Sequence, residues 1–110
     1  MRLLSRSEEL VLLAVWKLKD NAYCISIQAH LDKMTGKKWS FGSIFDPLDR
    51  LEKKGLLRST LTDPIKARGG RSKRVYRITS QGKEALAEMY RIQKAMRAEA
   101  EAMEAETEEA

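Results

Sequence analysis

Apolar residues fall along this chain in three regimes. Helical spacing runs through the first half, alternation takes over near residue 57, and a three-four spacing returns after residue 80. The first helix is predicted to open at Ser5, because Ser5-x-x-Glu8 is a capping box ahead of an apolar run. Leu10, Val11, Leu13, Ala14, Val15 and Leu18 then supply a wide buried stripe, and Asp20-Asn21 supplies the turn that ends it. A second helix is predicted from about Ile25 to Thr35, with Ile27, Leu31 and Met34 facing inward and Gly36 as its C-terminal cap.

Lys37-Lys38-Trp39 makes the next turn, and Ser40 is the N-cap of a third helix that ends before Gly55. Its inner face reads Ile44, Phe45, Leu48 and Leu51. Its outer face, Ser43, Asp46, Arg50 and Lys53, is wholly polar, and Pro47 predicts a kink or a tightened first turn. Leu57, Ser59 and Leu61, then Tyr76 and Ile78, alternate with polar neighbours as two short strands. Between them, residues 63–73 hold Pro64, Gly69-Gly70 and four basic residues, the composition of a long hairpin loop. Thr79 caps a last helix running from about Ser80 into the 100s. Along it Leu86, Met89, Gln93, Met96, Ala100 and Met103 follow a coiled-coil seam, and a glutamate-rich end is expected to fray. With Leu13, Leu31, Leu48 and Leu51 already serving the three-helix core, that seam is expected to meet a second copy of the chain; the alternative is that the helix folds back on its own first helix.

Charge sharpens the picture. All 21 basic residues lie within residues 1–98 against ten acidic ones, while Glu99, Glu101, Glu104, Glu106, Glu108 and Glu109 make the end acidic. So basic a body suggests a polyanionic partner. Position matters more than the total. Lys66, Arg68, Arg71, Lys73 and Arg74 cluster around Gly69-Gly70, where they contribute nothing to a core, and Lys37-Lys38 precede the third helix. Three helices followed by a hairpin with a basic tip is the winged helix-turn-helix order. In it the third helix enters the major groove of double-stranded DNA and the basic residues meet phosphates. The expected DNA-contacting set is Lys37, Lys38, Ser40, Ser43, Asp46 and Arg50 from the helix and its turn, with Lys66, Arg68, Gly69, Gly70, Arg71, Lys73 and Arg74 from the wing. For each, an ordinary solvated face is the alternative.

Ala22-Tyr23, then Gly42-Ser43-Ile44-Phe45 leading into Leu48-Asp49-Arg50-Leu51-Glu52-Lys53-Lys54-Gly55-Leu56, resembles the recognition-helix signature of the PadR family of transcriptional regulators. Arg68-Gly69-Gly70-Arg71-Ser72-Lys73-Arg74-Val75-Tyr76-Arg77-Ile78-Thr79, with Gly82 and Leu86, resembles that family's wing and the start of its last helix. The resemblance spans most of residues 5–88. It implies a homodimeric repressor that reads DNA through the third helix and wing, with the last helix packed on its partner. Family members can bind aromatic or drug-like effectors at the dimer interface, so a small aromatic effector is a partner that the resemblance allows and no spacing here specifies. The chain departs from the pattern in having Cys24 for glycine, Phe45 for tyrosine, and its proline at Pro47 where the family has one in place of Asp46.

The expected fold is therefore mainly α with a small β-hairpin. Residues 1–79 form a winged-helix DNA-binding domain, and residues 80–110 form a C-terminal dimerisation helix. The expected partners are a palindromic double-stranded operator and a second copy of the chain. No cofactor, metal or catalytic residue is expected: His30 is a boundary histidine without a second ligand beside it, Cys24 is a small core residue, and no phosphate loop or catalytic triad appears. Trp16 and Trp39 read as core or core-edge residues. The longest apolar run, Leu10–Trp16, is far too short to span a bilayer, and Arg2 is not followed by a signal-peptide pattern; with one cysteine, a cytoplasmic location is expected. Two other classes stay open. One is a winged helix that binds a partner protein; the other is an RNA binder, which would want more exposed aromatics than this sequence offers.

Overall fold

Helix α1 (Arg6–Leu18) starts on the predicted capping box: the Glu8 amide donates to Ser5 Oγ at 3.2 Å, and the Ser5 amide donates to Glu8 Oε1 at 2.8 Å. A 3-10 turn at Lys19–Asn21 ends it. Helices α2 (Cys24–Thr35) and α3 (Phe41–Lys53), strands β1 (Leu57–Leu61) and β2 (Arg74–Ile78), and helix α4 (Ser80–Glu109) follow. This computed structural model describes residues 3–62 and 73–109. Most of the expected wing loop therefore lies outside the described residues.

The strands pair antiparallel, with Leu57 opposite Ile78 and Leu61 opposite Arg74. The Tyr76 amide also donates to the Ala22 carbonyl at 2.8 Å, which ties the hairpin to the turn between α1 and α2. Leu12, Val15, Ile27, Ile44, Leu48, Leu51 and Leu57 are fully buried, and Tyr76 and Leu86 close the core from the hairpin and from α4. Helix α3 runs unbroken through Pro47, whose ring is buried on the inner face.

Three expected core residues are exposed. Leu13 is 44% exposed, Phe45 53% and Met34 69%. In α1 the segment Leu10–Trp16 is apolar on every side, so spacing alone could not choose a face. The structure buries Glu8, Val11, Leu12 and Val15, the i, i+3, i+4, i+7 set, and turns Leu13 outward. Phe45 follows fully buried Ile44 by one residue, a rotation of about 100°, which carries it out of the Ile44–Leu48–Leu51 row.

The start of α4 depends on a glycine. A Cβ at Gly82 would stand 2.3 Å from the Leu56 carbonyl oxygen and 2.7 Å from Ile78 Cγ1. Thr79 holds this junction as predicted, accepting from the Gly82 amide at 3.1 Å and donating to the Gly55 carbonyl at 2.8 Å. Helix α4 runs to Glu109, in keeping with the high helix propensity of its alanines and glutamates.

Candidate nucleic-acid interface

The turn that delivers α3 is anchored on Trp39. Its amide donates to Asp32 Oδ1 at 2.8 Å, its indole Nε1 donates to Thr35 Oγ1 at 3.0 Å, and its carbonyl accepts from Gln28 Nε2 at 2.6 Å. All three partners lie on α2, so the half-buried indole welds the turn to the preceding helix. Ser40 then caps α3 as expected, accepting from the Ser43 amide at 3.1 Å. Lys37 and Lys38 are exposed on this braced turn, beside the positive end of the α3 dipole.

Along α3 the expected reading residues differ in how occupied they are. The Ser43 hydroxyl donates to the Ser40 carbonyl at 2.7 Å and is engaged in the cap. Arg50 leans toward α1, with Nε 3.6 Å from Glu8 Oε2, and Lys53 pairs with Asp49 at 2.9 Å. Asp46 is exposed with no hydrogen bond or ion pair among the described residues. Two side chains absent from the expected set share this surface: Phe41 is 57% exposed, and Phe45 stands four residues further on. The spacing from Ile44 contained the signal for Phe45; its apolar character masked it.

Of the wing residues, Lys73 and Arg74 are described, whereas Lys66, Arg68, Gly69, Gly70 and Arg71 lie outside the described residues. The Lys73 ammonium sits 3.9 Å from the centroid of the Tyr23 ring, and its carbonyl accepts from the Thr62 amide at 2.8 Å. Arg74 Nη1 donates to Ser59 Oγ at 2.9 Å, and the Ser59 hydroxyl donates to the Glu52 carboxylate. Base of wing and edge of α3 are thus joined by a short polar chain. Among the described residues, Lys37 and Lys38 flank α3 at its leading turn, and Lys73 and Arg74 flank it at the root of the hairpin.

The expected dimer seam divides. Leu86 is buried in the chain's own core, Met89 packs against that core, and Gln93 Nε2 lies 3.2 Å from both carboxylate oxygens of buried Glu9. These three residues have a use within one protomer, contrary to the sequence-based expectation. That expectation assumed a core completed by Leu13, which the structure exposes. Met96, Ala100 and Met103 are exposed on the projecting part of α4.

Cys24 is half-buried against the core, and burial pushes its thiol up, which disfavours the reactive thiolate. His30 is half-buried on α2, at the boundary its spacing suggested. Trp16 is 42% exposed, with the Lys83 ammonium 5.5 Å from its ring centroid, and so lies at the core edge. No helix among the described residues is long and apolar enough to cross a membrane.

Comparison with known proteins agrees with this arrangement. The model of the PadR-like family of transcriptional regulators matches residues 12–88. Among solved structures, a PadR-like transcription factor from Bacteroides fragilis is similar with a TM-score of 0.74 at 22% identity, over 87% of each chain. A PadR-like transcriptional regulator from Bacillus cereus gives 0.68 at 24% identity, over 87% of this chain and 88% of its own. A PadR-family regulator from Eggerthella lenta gives 0.69 at 23% identity, over 86% and 80%. No curated protein matches the sequence.

Proposed function

Because the chain belongs to the PadR-like family of transcriptional regulators, we propose that it is a dimeric, sequence-specific DNA-binding repressor whose third helix enters the major groove. The observation that carries this reading is the presentation of α3. Its first turn is fastened to α2 through Trp39, its cap is complete, and Lys37 and Lys38 stand exposed beside it. A helix inserted in a groove must be held rigidly by the rest of the domain, and cations at its leading end would meet the phosphates on the groove wall.

The dimer is supported by the exposed row Met96, Ala100 and Met103 on a helix that projects beyond the three-helix body. A stripe of that kind is stable when it has a partner surface. A two-fold axis through it would set two copies of α3 about 34 Å apart, one turn of the duplex, and call for a palindromic site.

Duplex binding measured by fluorescence anisotropy against salt tests the reading. The expected result is a steep loss of affinity with rising salt. Replacing Arg68 and Arg71 with alanine should weaken binding to all sequences alike and reduce the salt slope by about one unit per phosphate contact removed. A protein with negligible duplex affinity at low salt would instead be a winged helix that holds another protein.

A further inference from the structure

Helix α3 needs only one face for its core. Ile44, Leu48 and Leu51 are fully buried there, and Pro47 fills the remaining gap. Two large aromatic side chains are nevertheless left outside that face. Phe41 and Phe45 are four residues apart, hence on the same side of the helix, and each is more than half exposed. Seven residues beyond Phe45 on the same edge is Glu52, whose carboxylate is held by Ser59 of β1. The phenylalanine edge is therefore the one that faces the hairpin, between the reading helix and the root of the wing.

Gly42 stands between Phe41 and Ser43 with nothing within 4 Å of where its Cβ would be. Neither packing nor a left-handed backbone asks for glycine at that position. A side chain is omitted where another surface comes close to the helix backbone. That surface is not another part of this chain among the described residues.

Polar readers are scarce on the same stretch. The Ser40 and Ser43 hydroxyls are engaged with each other and with the cap, and Arg50 and Lys53 are drawn to carboxylates. Beside Asp46, which is exposed without a hydrogen bond or ion pair among the described residues, this end of the helix offers a groove two exposed aromatic rings. The apolar group on the floor of the major groove is the 5-methyl of thymine. The cations at Lys37, Lys38 and Arg74 on either side match a phosphate-walled groove better than they match an apolar protein surface.

We propose that Phe41 and Phe45 are specificity-determining residues that read thymine 5-methyl groups, with Gly42 giving the groove floor room to approach. The inference rests on the DNA-binding reading above and adds to it the chemistry of recognition. Each methyl removed from water against a ring contributes about fourfold in affinity, the equivalent of roughly 0.8 kcal/mol.

The test uses the full chain and a duplex selected by that chain from a random library. Each thymine of the selected site is replaced in turn by deoxyuridine, which lacks only the methyl. At one or more positions the wild type should lose about fourfold in affinity per methyl. Phe45→Ala or Phe41→Ala should bind thymine and deoxyuridine forms of that position equally, and Phe45→Tyr should keep the preference. A wild type indifferent to every substitution overturns the inference while leaving duplex binding intact. So does an undiminished deoxyuridine penalty in both alanine variants. Failure to select or bind any duplex overturns this inference together with the function it rests on.

Discussion

Glu8 Oε2 lies 2.6 Å from Lys54 Nζ, joining the first turn of α1 to the residue that closes α3. The Glu8 side chain is only 5% exposed, and it also caps its own helix through Ser5. One carboxylate thus serves as helix cap and as anchor for the C-terminal end of α3. Burial alone would raise its pKa. The hydrogen bonds from Lys54 and Ser5, with the Lys54 charge, outweigh that burial and lower it from 4.5 to about 2.

A depressed carboxylate stabilises the fold above its unfolded pKa and loses that contribution as pH falls through its folded pKa. Unfolding followed by urea should therefore show stability falling between pH 4.5 and about 2. The total from this group is at most about 3 kcal/mol. Glu8→Gln should remove that acid limb and lower stability at neutral pH by roughly 2–3 kcal/mol, because Lys54 is left half-buried without its partner. An unchanged acid limb in the variant would assign it to other carboxylates.

Gly42→Ala should separate fold from recognition. The added methyl meets open space in a helix, so stability should rise by about 0.5–1 kcal/mol in thermal or urea unfolding. Duplex affinity should fall in the same variant, because the methyl occupies the approach of the groove floor. Raised stability with unchanged affinity would show that nothing comes close to the backbone there.

Gly82→Ala should do the opposite. Its methyl would press on the Leu56 carbonyl, which is backbone and cannot swing aside. The expected loss is about 1–3 kcal/mol of stability, with the α4 junction displaced from the hairpin. Native-state hydrogen exchange would locate the loss in the first turns of α4.

Dimerisation is best tested by ending the chain after Lys94. A cut soon after Gly82 would remove Leu86 from the core and confuse folding with assembly. The longer fragment keeps Leu86, Met89 and the Gln93–Glu9 contact and loses the exposed methionine row. Light scattering should then report a monomer, and affinity for a palindromic site should fall toward that for a half-site. A fragment that stays dimeric would move the interface to the body.

Much of the architecture is legible in local patterns, because caps and periodicity act over a few residues. Ser5-x-x-Glu8, Ser40 and Thr79 mark helix starts that the hydrogen bonds bear out, and the switch from helical spacing to alternation marks the hairpin. The order of those elements, together with the clustering of cations, is enough to write down a winged helix-turn-helix. The candidate interface was legible as a region, through Lys37, Lys38, α3 and the hairpin, and less so residue by residue.

What the local pattern cannot supply is which face of an element another element will cover. Leu12 and Leu13 are equivalent within an apolar run, and only the arrival of α2 and α3 buries one and exposes the other. Phe45 reads as core until its neighbours Ile44 and Leu48 are seen to fill the contact. Glu8 looks like a helix cap until Lys54, 46 residues away, closes on it. Leu86 belongs to a seam on paper and to the core once the first turns of α4 pack, at Gly82, against Leu56 and Ile78. Helix and strand periods are set by backbone geometry within a few residues and so are written in the sequence; burial and ion pairing are set by contacts between distant segments, and the tertiary structure alone decides them.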